Sequence, residues 1–361
     1  MPRLLAAVLL AFLPIFAAAQ NTNPVSWYRQ LTGSIGKNPV TMLLHKAGHL
    51  YKGYYYDESQ QRPIYFRGDD TTYKDSVSLM AFGGIVQDES FVFAFDGEHA
   101  AGTWKSSGNK NSKKTFEFTA TADTAATFQY VFTEGSAKLR PSHRNSPTGT
   151  YQSAAVWPVG KTPKDNLIKS VIRQIFDSTH HGSADIGAIL LKDKKETLDG
   201  YRKDNLDASD SDLALMPASF SMDIENDVLI CYTSPNILSL VHQYYAFTGG
   251  AHGNYGSAYM VLDLKARKRL QLHDIISEEG KKALGKLLEK NFRLQQHLRP
   301  NHSLQDAGLF SNTIEPTDNF YLTGKGIGFS YDPYEIGPYS SGQIDIFVPF
   351  TDLKGYLIKR Q

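Results

Sequence analysis

Cysteine is all but missing. Cys231 is the single one among 361 residues, so no intramolecular disulfide can staple the chain, and stability has to come from packed cores. Net charge is missing too: 38 lysines and arginines balance 37 aspartates and glutamates, a formal +1. Such a balance creates no field to draw nucleic acid or an anionic membrane surface, and nucleic acid is not expected as a partner. Beyond the first twenty residues no apolar run approaches the ~18 residues of a membrane-crossing helix, so the mature chain is not expected to span a membrane. Three catalytic signatures are absent as well: H-E-x-x-H, G-x-S-x-G and paired C-x-x-C. No metal site and no cofactor is therefore expected. Cys231 itself lies in the apolar run Val228 to Tyr232 without a basic neighbour, which describes a buried, inert thiol.

What is present begins with Arg3, an apolar stretch from Leu4 to Phe16, and Ala17-Ala18-Ala19 before Gln20. This is the pattern of a secretory signal peptide over residues 1–19, cleaved near Ala19, and it predicts a secreted or periplasmic protein. The remaining length suits two domains. Twenty tyrosines, twenty phenylalanines and 29 glycines point to a β-rich chain with many tight turns.

Residues 20–135 read as an all-β domain, a small barrel or sandwich. The runs 40–45, 50–56, 62–67, 91–95, 115–119 and 128–132 are short and aromatic or β-branched, and glycines punctuate them at hairpin spacing, with Asp96-Gly97 as one tight turn. Residues 136–164 carry Pro141, Pro147, Pro158 and Pro163 among polar residues and read as a solvated, Pro-rich connection.

From 165 to 361 the pattern is α+β: helices packed on one face of a mainly antiparallel sheet. Thr162-Pro163 opens a helix with apolar residues on one face, stopping near His180-His181-Gly182, and a second follows from Ala184 to Tyr201. Strands are expected over 219–225 and 227–233, joined through Asn226, then over 237–247 and 259–264. Ser277 starts another helix, and strands near 319–323, 326–331 and 343–349 close the chain.

Two loops hold the candidate binding residues. The first runs from Tyr244 through Gly249-Gly250-Ala251-His252-Gly253-Asn254, where clustered glycines permit positive φ and His252 offers an acid, base or ligand. It leads into a strand and not a helix, so the phosphate-cradling templates fail. The second runs from Tyr331 through Asp332-Pro333-Tyr334-Glu335 to Tyr339; its tyrosines combine apolar area with a hydroxyl, as protein and sugar contacts do. The binding candidates are Gly250, His252, Asn254, Tyr331, Tyr334, Glu335 and Tyr339, and no residue is singled out as catalytic. His45 and His49, four apart on a strand, do not share a face as metal ligands would on a helix.

Tyr245 to Asn254, Leu262-Asp263-Leu264, Leu270 to Asp274, and the block from Asn319 through Tyr334-Glu335-Ile336-Gly337-Pro338-Tyr339 to Phe350 together resemble the extracytoplasmic domain of unknown function shared by RsiV-type anti-sigma factors and PdaC-type peptidoglycan deacetylases. The resemblance covers the C-terminal half only and implies an α+β domain outside the cytoplasm. In the anti-sigma branch that domain binds lysozyme; in the other it accompanies a separate deacetylase domain. This chain has no deacetylase motif and no sigma-binding segment, so neither activity carries over. The resemblance implies an envelope binding protein that recognises a lysozyme-like muramidase or a cell-wall glycan. Two alternatives stay open: an envelope hydrolase pairing His252 with Asp274, Asp332 or Glu335, and a structural surface protein without a small ligand.

Overall fold

The computed structural model describes residues 25–82, 88–106, 112–176 and 184–358. The signal-peptide segment and the helix stop at His180-His181-Gly182 lie outside these residues.

The first eight strands are β1 (Ser26–Ile35), β2 (Asn38–Ala47), β3 (Leu50–Asp57), β4 (Ile64–Tyr73), β5 (Ser76–Phe82), β6 (Asp88–Phe95), β7 (His99–Ser106) and β8 (Lys114–Thr121). Each is antiparallel to the next, and β8 returns to β1 with Gln30 opposite Thr121 and Ile35 opposite Phe116, closing a barrel. Between a barrel and a sandwich, the chain chooses the barrel, which leaves no free sheet edge. Inward positions carry Leu31, Met42, Leu44, Phe66, Leu79, Phe91 and Phe118, all fully buried, so the barrel is filled by its own side chains. The tight turn at Asp96-Gly97 is present: Asp96 Oδ1 accepts the amides of Glu98 and His99 at 2.9 and 2.7 Å, and Gly97 has φ +104°.

The chain continues through β9 (Phe128–Lys138), β10 (Thr148–Pro158), α1 (Pro163–Phe176), α2 (Ile186–Asp204), α3 (Asp210–Leu215), β11 (Met222–Thr233), β12 (Ile237–Phe247), β13 (Asn254–Asp263) and β14 (Lys268–Leu270). These strands form one sheet in the order β14-β13-β12-β11-β10-β9, antiparallel except for β10 beside β11. Three expectations need correction here. Phe128 to Phe132 is not a barrel strand but the start of β9, on the second sheet's edge. Residues 136–164 are not a solvated connection, because they include the end of β9, all of β10 and the start of α1, with Ala154, Ala155, Val156 and Trp157 buried. Their prolines flank elements and do not interrupt them: Pro147 precedes β10, Pro158 ends it, and Pro163 opens α1, where a missing amide leaves no bond unmade. Asn226 is no turn either; β11 runs through it unbroken, with Asn226 opposite Ser153 of β10 on one side and Tyr244 of β12 on the other.

Ser277 caps α4 (Glu278–Gln295) by accepting the Gly280 amide at 3.2 Å, and β15 (Phe320–Leu322), β16 (Gly326–Tyr331) and β17 (Ile344–Pro349) form a third, three-stranded antiparallel sheet. Leu284, Leu288 and Phe292 of α4 are buried with Ile327, Phe329 and Ile346 of that sheet. The architecture is thus α+β, a barrel followed by sheets with few helices. The helices are divided: α1 and α2 pack on β9 and β10, whereas α4 packs on β17.

Barrel and second sheet share a wall. Along β2 every residue from Val40 to His45 is buried. Val40, Met42 and Leu44 point into the barrel, while Leu43 joins the core of the six-stranded sheet, beside Val228, Ile230 and Trp157. The same alternation on β3 puts Tyr51 and Tyr55 inside and Lys52, Tyr54 and Tyr56 outside, toward the second sheet. Polar bonds cross this wall. The Ile230 amide donates to His45 Nε2 at 3.3 Å, and Asp123, just after the barrel, accepts the hydroxyls of Tyr28 and Thr233, each at 2.7 Å.

Candidate functional site

The two loops picked out in the sequence lie side by side. Gly249 and Gly250 take φ values of +92° and +103°, which turn the chain between β12 and β13. The His252 ring then stacks on Tyr339, with centroids 4.1 Å apart and planes at 29°. The Tyr339 hydroxyl donates to the Gly253 carbonyl at 2.7 Å, and Tyr255 and Tyr334 flank the same ring at centroid distances of 5.6 and 5.7 Å.

The seven candidates divide accordingly. Gly250, His252, Asn254 and Glu335 are exposed, Tyr334 is 56% exposed, and Tyr339 is half-buried between the loops. Tyr331 is the correction: it is 3% exposed, its hydroxyl donates to the Glu315 carbonyl at 2.7 Å, and it belongs to the core under α4. It anchors the second loop and cannot be a contact residue. Glu335 accepts the Asp332 amide at 2.9 Å and so closes its own turn. Asp332 accepts the Tyr244 hydroxyl at 2.8 Å and the Ser257 amide at 2.9 Å, and it fills the space that Gly256 leaves open. Asp274 is elsewhere, bound to Lys268 Nζ at 2.7 Å in the turn after β14. Leu270 of β14 pairs with Val261, seven residues along β13 from Asn254, roughly 23 Å of extended strand. His252 hydrogen-bonds the Gly253 carbonyl at 3.1 Å and, among the described residues, no carboxylate.

Behind the loops opens a cleft of about 860 Å³ between barrel and second domain, within the usual range for small-molecule sites. Lys52 and Tyr54 of β3, Tyr65 and Arg67 of β4, and Arg62 between those strands form the barrel wall. Glu225 and Asp227 of β11, with Gln243 and Tyr244 of β12, face them. Tyr255, Tyr259, Tyr321, Tyr339, Gln343 and Asp345 close the third side. Eight tyrosines line the space once Tyr245 is included. Tyr339 belongs both to the cleft and to the loop pair, so the loops are the rim of this site.

The electrostatics are set by pairs. Lys52 Nζ reaches across to Glu225 at 2.8 Å and Asp227 at 2.5 Å. Burial alone opposes its charge, but these carboxylates outweigh burial and hold Lys52 firmly protonated. Asp345 behaves oppositely. Burial pushes its carboxyl up to about 6, against the pull of the Arg62 guanidinium and a 2.9 Å hydrogen bond from the Tyr321 hydroxyl. Burial also raises Tyr65 and Tyr244 to about 12, the latter with help from its bond to Asp332, so both phenols remain donors. Within the cleft a ligand meets phenol hydroxyls, amides and carboxylate oxygens over aromatic surface.

Sequence reasoning missed Lys52, Arg62, Asp227 and Asp345. One signal was available: the strand period puts Lys52 on the same face as Tyr54 and Tyr56, and a lysine inside a tyrosine-rich strand implies a carboxylate partner.

Comparison with known proteins bears on the C-terminal half. Residues 145–255 match the family profile of deacetylase PdaC, and residues 273–351 match that of a protein of unknown function, DUF3298. The C-terminal half carries this PdaC–DUF3298 pairing. Both are extracytoplasmic-type domains, and no described helix is long and apolar enough to cross a membrane. A crystal structure of a DUF3298 family member from Bacteroides fragilis is 24% identical with a TM-score of 0.60, over 66% of this chain and 96% of that one, which establishes a shared fold. A DUF3298 family protein from Pseudomonas aeruginosa is 18% identical with a TM-score of 0.46, over 65% of this chain and 96% of that one. No curated protein matches the chain.

Proposed function

We propose that this is a secreted or periplasmic binding protein of the bacterial envelope, released after cleavage near Ala19, which holds a cell-wall glycan in the cleft between its barrel and its PdaC–DUF3298 half. The carrying observation is the lining: eight tyrosines with interspersed carboxylates and amides, in a concavity of about 860 Å³. Phenol rings offer flat apolar faces for the C–H side of sugar rings, and their hydroxyls, with Gln243 and Gln343, meet the equatorial hydroxyls. The extracytoplasmic character of the matched families supplies the compartment in which such a ligand is met.

A second reading keeps a lysozyme-like muramidase as the partner and uses the rim. Its motive is Tyr334, which projects from the second loop with φ +74° and is more than half exposed beside His252 and Tyr339. Exposed tyrosines on a rigid loop are common anchors of protein interfaces.

Calorimetric titration of the mature protein with soluble cell-wall oligosaccharides and with lysozyme separates the two. The glycan reading expects saturable binding of oligosaccharide that weakens about tenfold in Tyr244→Ala, with Tyr334→Ala unchanged; the muramidase reading expects the reverse. Absence of binding to both ligands overturns both readings.

A further inference from the structure

Two charged groups facing this cleft carry polar atoms without partners among the described residues. Arg62, in the connection between β3 and β4, is only partly buried as a residue, but its Nε is buried without an acceptor among the described residues. Asp345, on β17, is bound through Oδ1 to the Tyr321 hydroxyl, while Oδ2 has no donor among the described residues. The charges feel each other, yet no Arg62 nitrogen comes within 4.0 Å of a carboxylate oxygen of Asp345, so no salt bridge joins them. Elsewhere along the same wall Lys52 is satisfied by two carboxylates at 2.8 and 2.5 Å. An unmade bond on a buried Nε–H is costly, and a site at a domain junction that keeps it unmade is prepared for a guest.

We propose that Arg62 and Asp345 form a split donor–acceptor clamp for one uncharged saccharide, Arg62 donating to a ligand oxygen and Asp345 Oδ2 accepting a ligand hydroxyl. This rests on the glycan reading and narrows it to the charge of the ligand. The lining has three cations, Lys52, Arg62 and Arg67, against four carboxylates, Asp223, Glu225, Asp227 and Asp345, so the cleft offers no net positive charge to an acidic sugar. A carboxylate drawn to Arg62 is brought up against Asp345, and like-charge juxtaposition in a confined site is strongly unfavourable. A neutral ring with a hydroxyl and a carbonyl or ring oxygen satisfies both groups at once and ties the barrel to β17 through itself.

The test is titration at pH 7.5 of the mature protein, and of Arg62→Gln and Asp345→Asn, with two tetrasaccharides: neutral N-acetylglucosamine tetramer and acidic galacturonate tetramer. The proposal expects the neutral tetramer to bind at least tenfold more tightly. Asp345→Asn should shrink that preference to less than about threefold, and Arg62→Gln should weaken the neutral tetramer about tenfold. Tyr321→Phe, which frees Oδ1 of Asp345 without removing charge, should keep the preference. Equal binding of both tetramers, or a preference unmoved by Asp345→Asn, overturns the clamp and leaves the glycan reading standing. Binding of neither overturns both.

Discussion

Lys52 Nζ lies 2.5 Å from Asp227 Oδ2, so the barrel and the six-stranded sheet are joined by an ion pair that neither owns. Both partners are mostly buried, and removing one leaves the other charged in a confined site. Lys52→Met is expected to destabilise the protein by about 3–5 kcal/mol in chemical denaturation. Asp227→Asn added to Lys52→Met should recover part of that loss. A Lys52→Met protein as stable as the parent contradicts this.

Acid should loosen the fold. Burial lowers His45 from 6.5 to about 3 and His242 from 6.5 to about 4. The folded state thus keeps both imidazoles neutral where the unfolded chain binds protons. Stability is fully present above pH 6.5 and falls as pH drops toward 4, by about 1.4 kcal/mol per pH unit for each group. Asp345, raised to about 6, contributes with the opposite slope between about 3.9 and 6 and offsets one of them. Melting curves from pH 7.5 to 4.5 should show a clear decline, and His45→Gln should flatten it by about one proton. A slope unchanged by that substitution would place the acid sensitivity elsewhere.

At the rim, the vacancy above Gly256 is shaped for a carboxylate. A Cβ built there falls 2.0 Å from Asp332 Oδ2 and 2.4 Å from the Tyr244 hydroxyl. Gly256→Ala should therefore expel Asp332, strand the Ser257 amide and cost about 1–3 kcal/mol. In an Asp332→Ala background the carboxylate is gone and the Tyr244 hydroxyl, no longer bonded to it, can swing aside, so the same glycine substitution should cost under about 0.5 kcal/mol. Additive costs in the double variant would show that the two side chains do not compete for one space.

The barrel was legible in the sequence because β3, β6 and β8 carry aromatic residues and β2 a run of aliphatic ones, with hairpin glycines between strands. The end of β9 and all of β10 were not. Their Ser, Thr and Ala residues resemble a linker, and the parallel pairing of β10 with β11 is made to a strand that begins 74 residues after β10 does, which no local pattern encodes. The same distinction governs the site. His252 and Tyr339 announce themselves through glycines, prolines and aromatics in short loops. Arg62 and Asp345 have ordinary surroundings in sequence and become neighbours only when the β3–β4 connection and β17 are brought to one cleft. Tyr331 was misread for a related reason: a strand-end tyrosine looks the same from sequence whether it points to solvent or, as here, beneath α4.

The shared wall along β2 has a consequence for what joins the two halves of this protein. Leu43 and Leu44 are neighbours through one peptide bond, yet Leu44 is filled around by barrel residues and Leu43 by residues of the second sheet. The junction is therefore written in every other side chain of a strand and not in a stretch of connecting chain, which is why neither proline content nor polarity marks it.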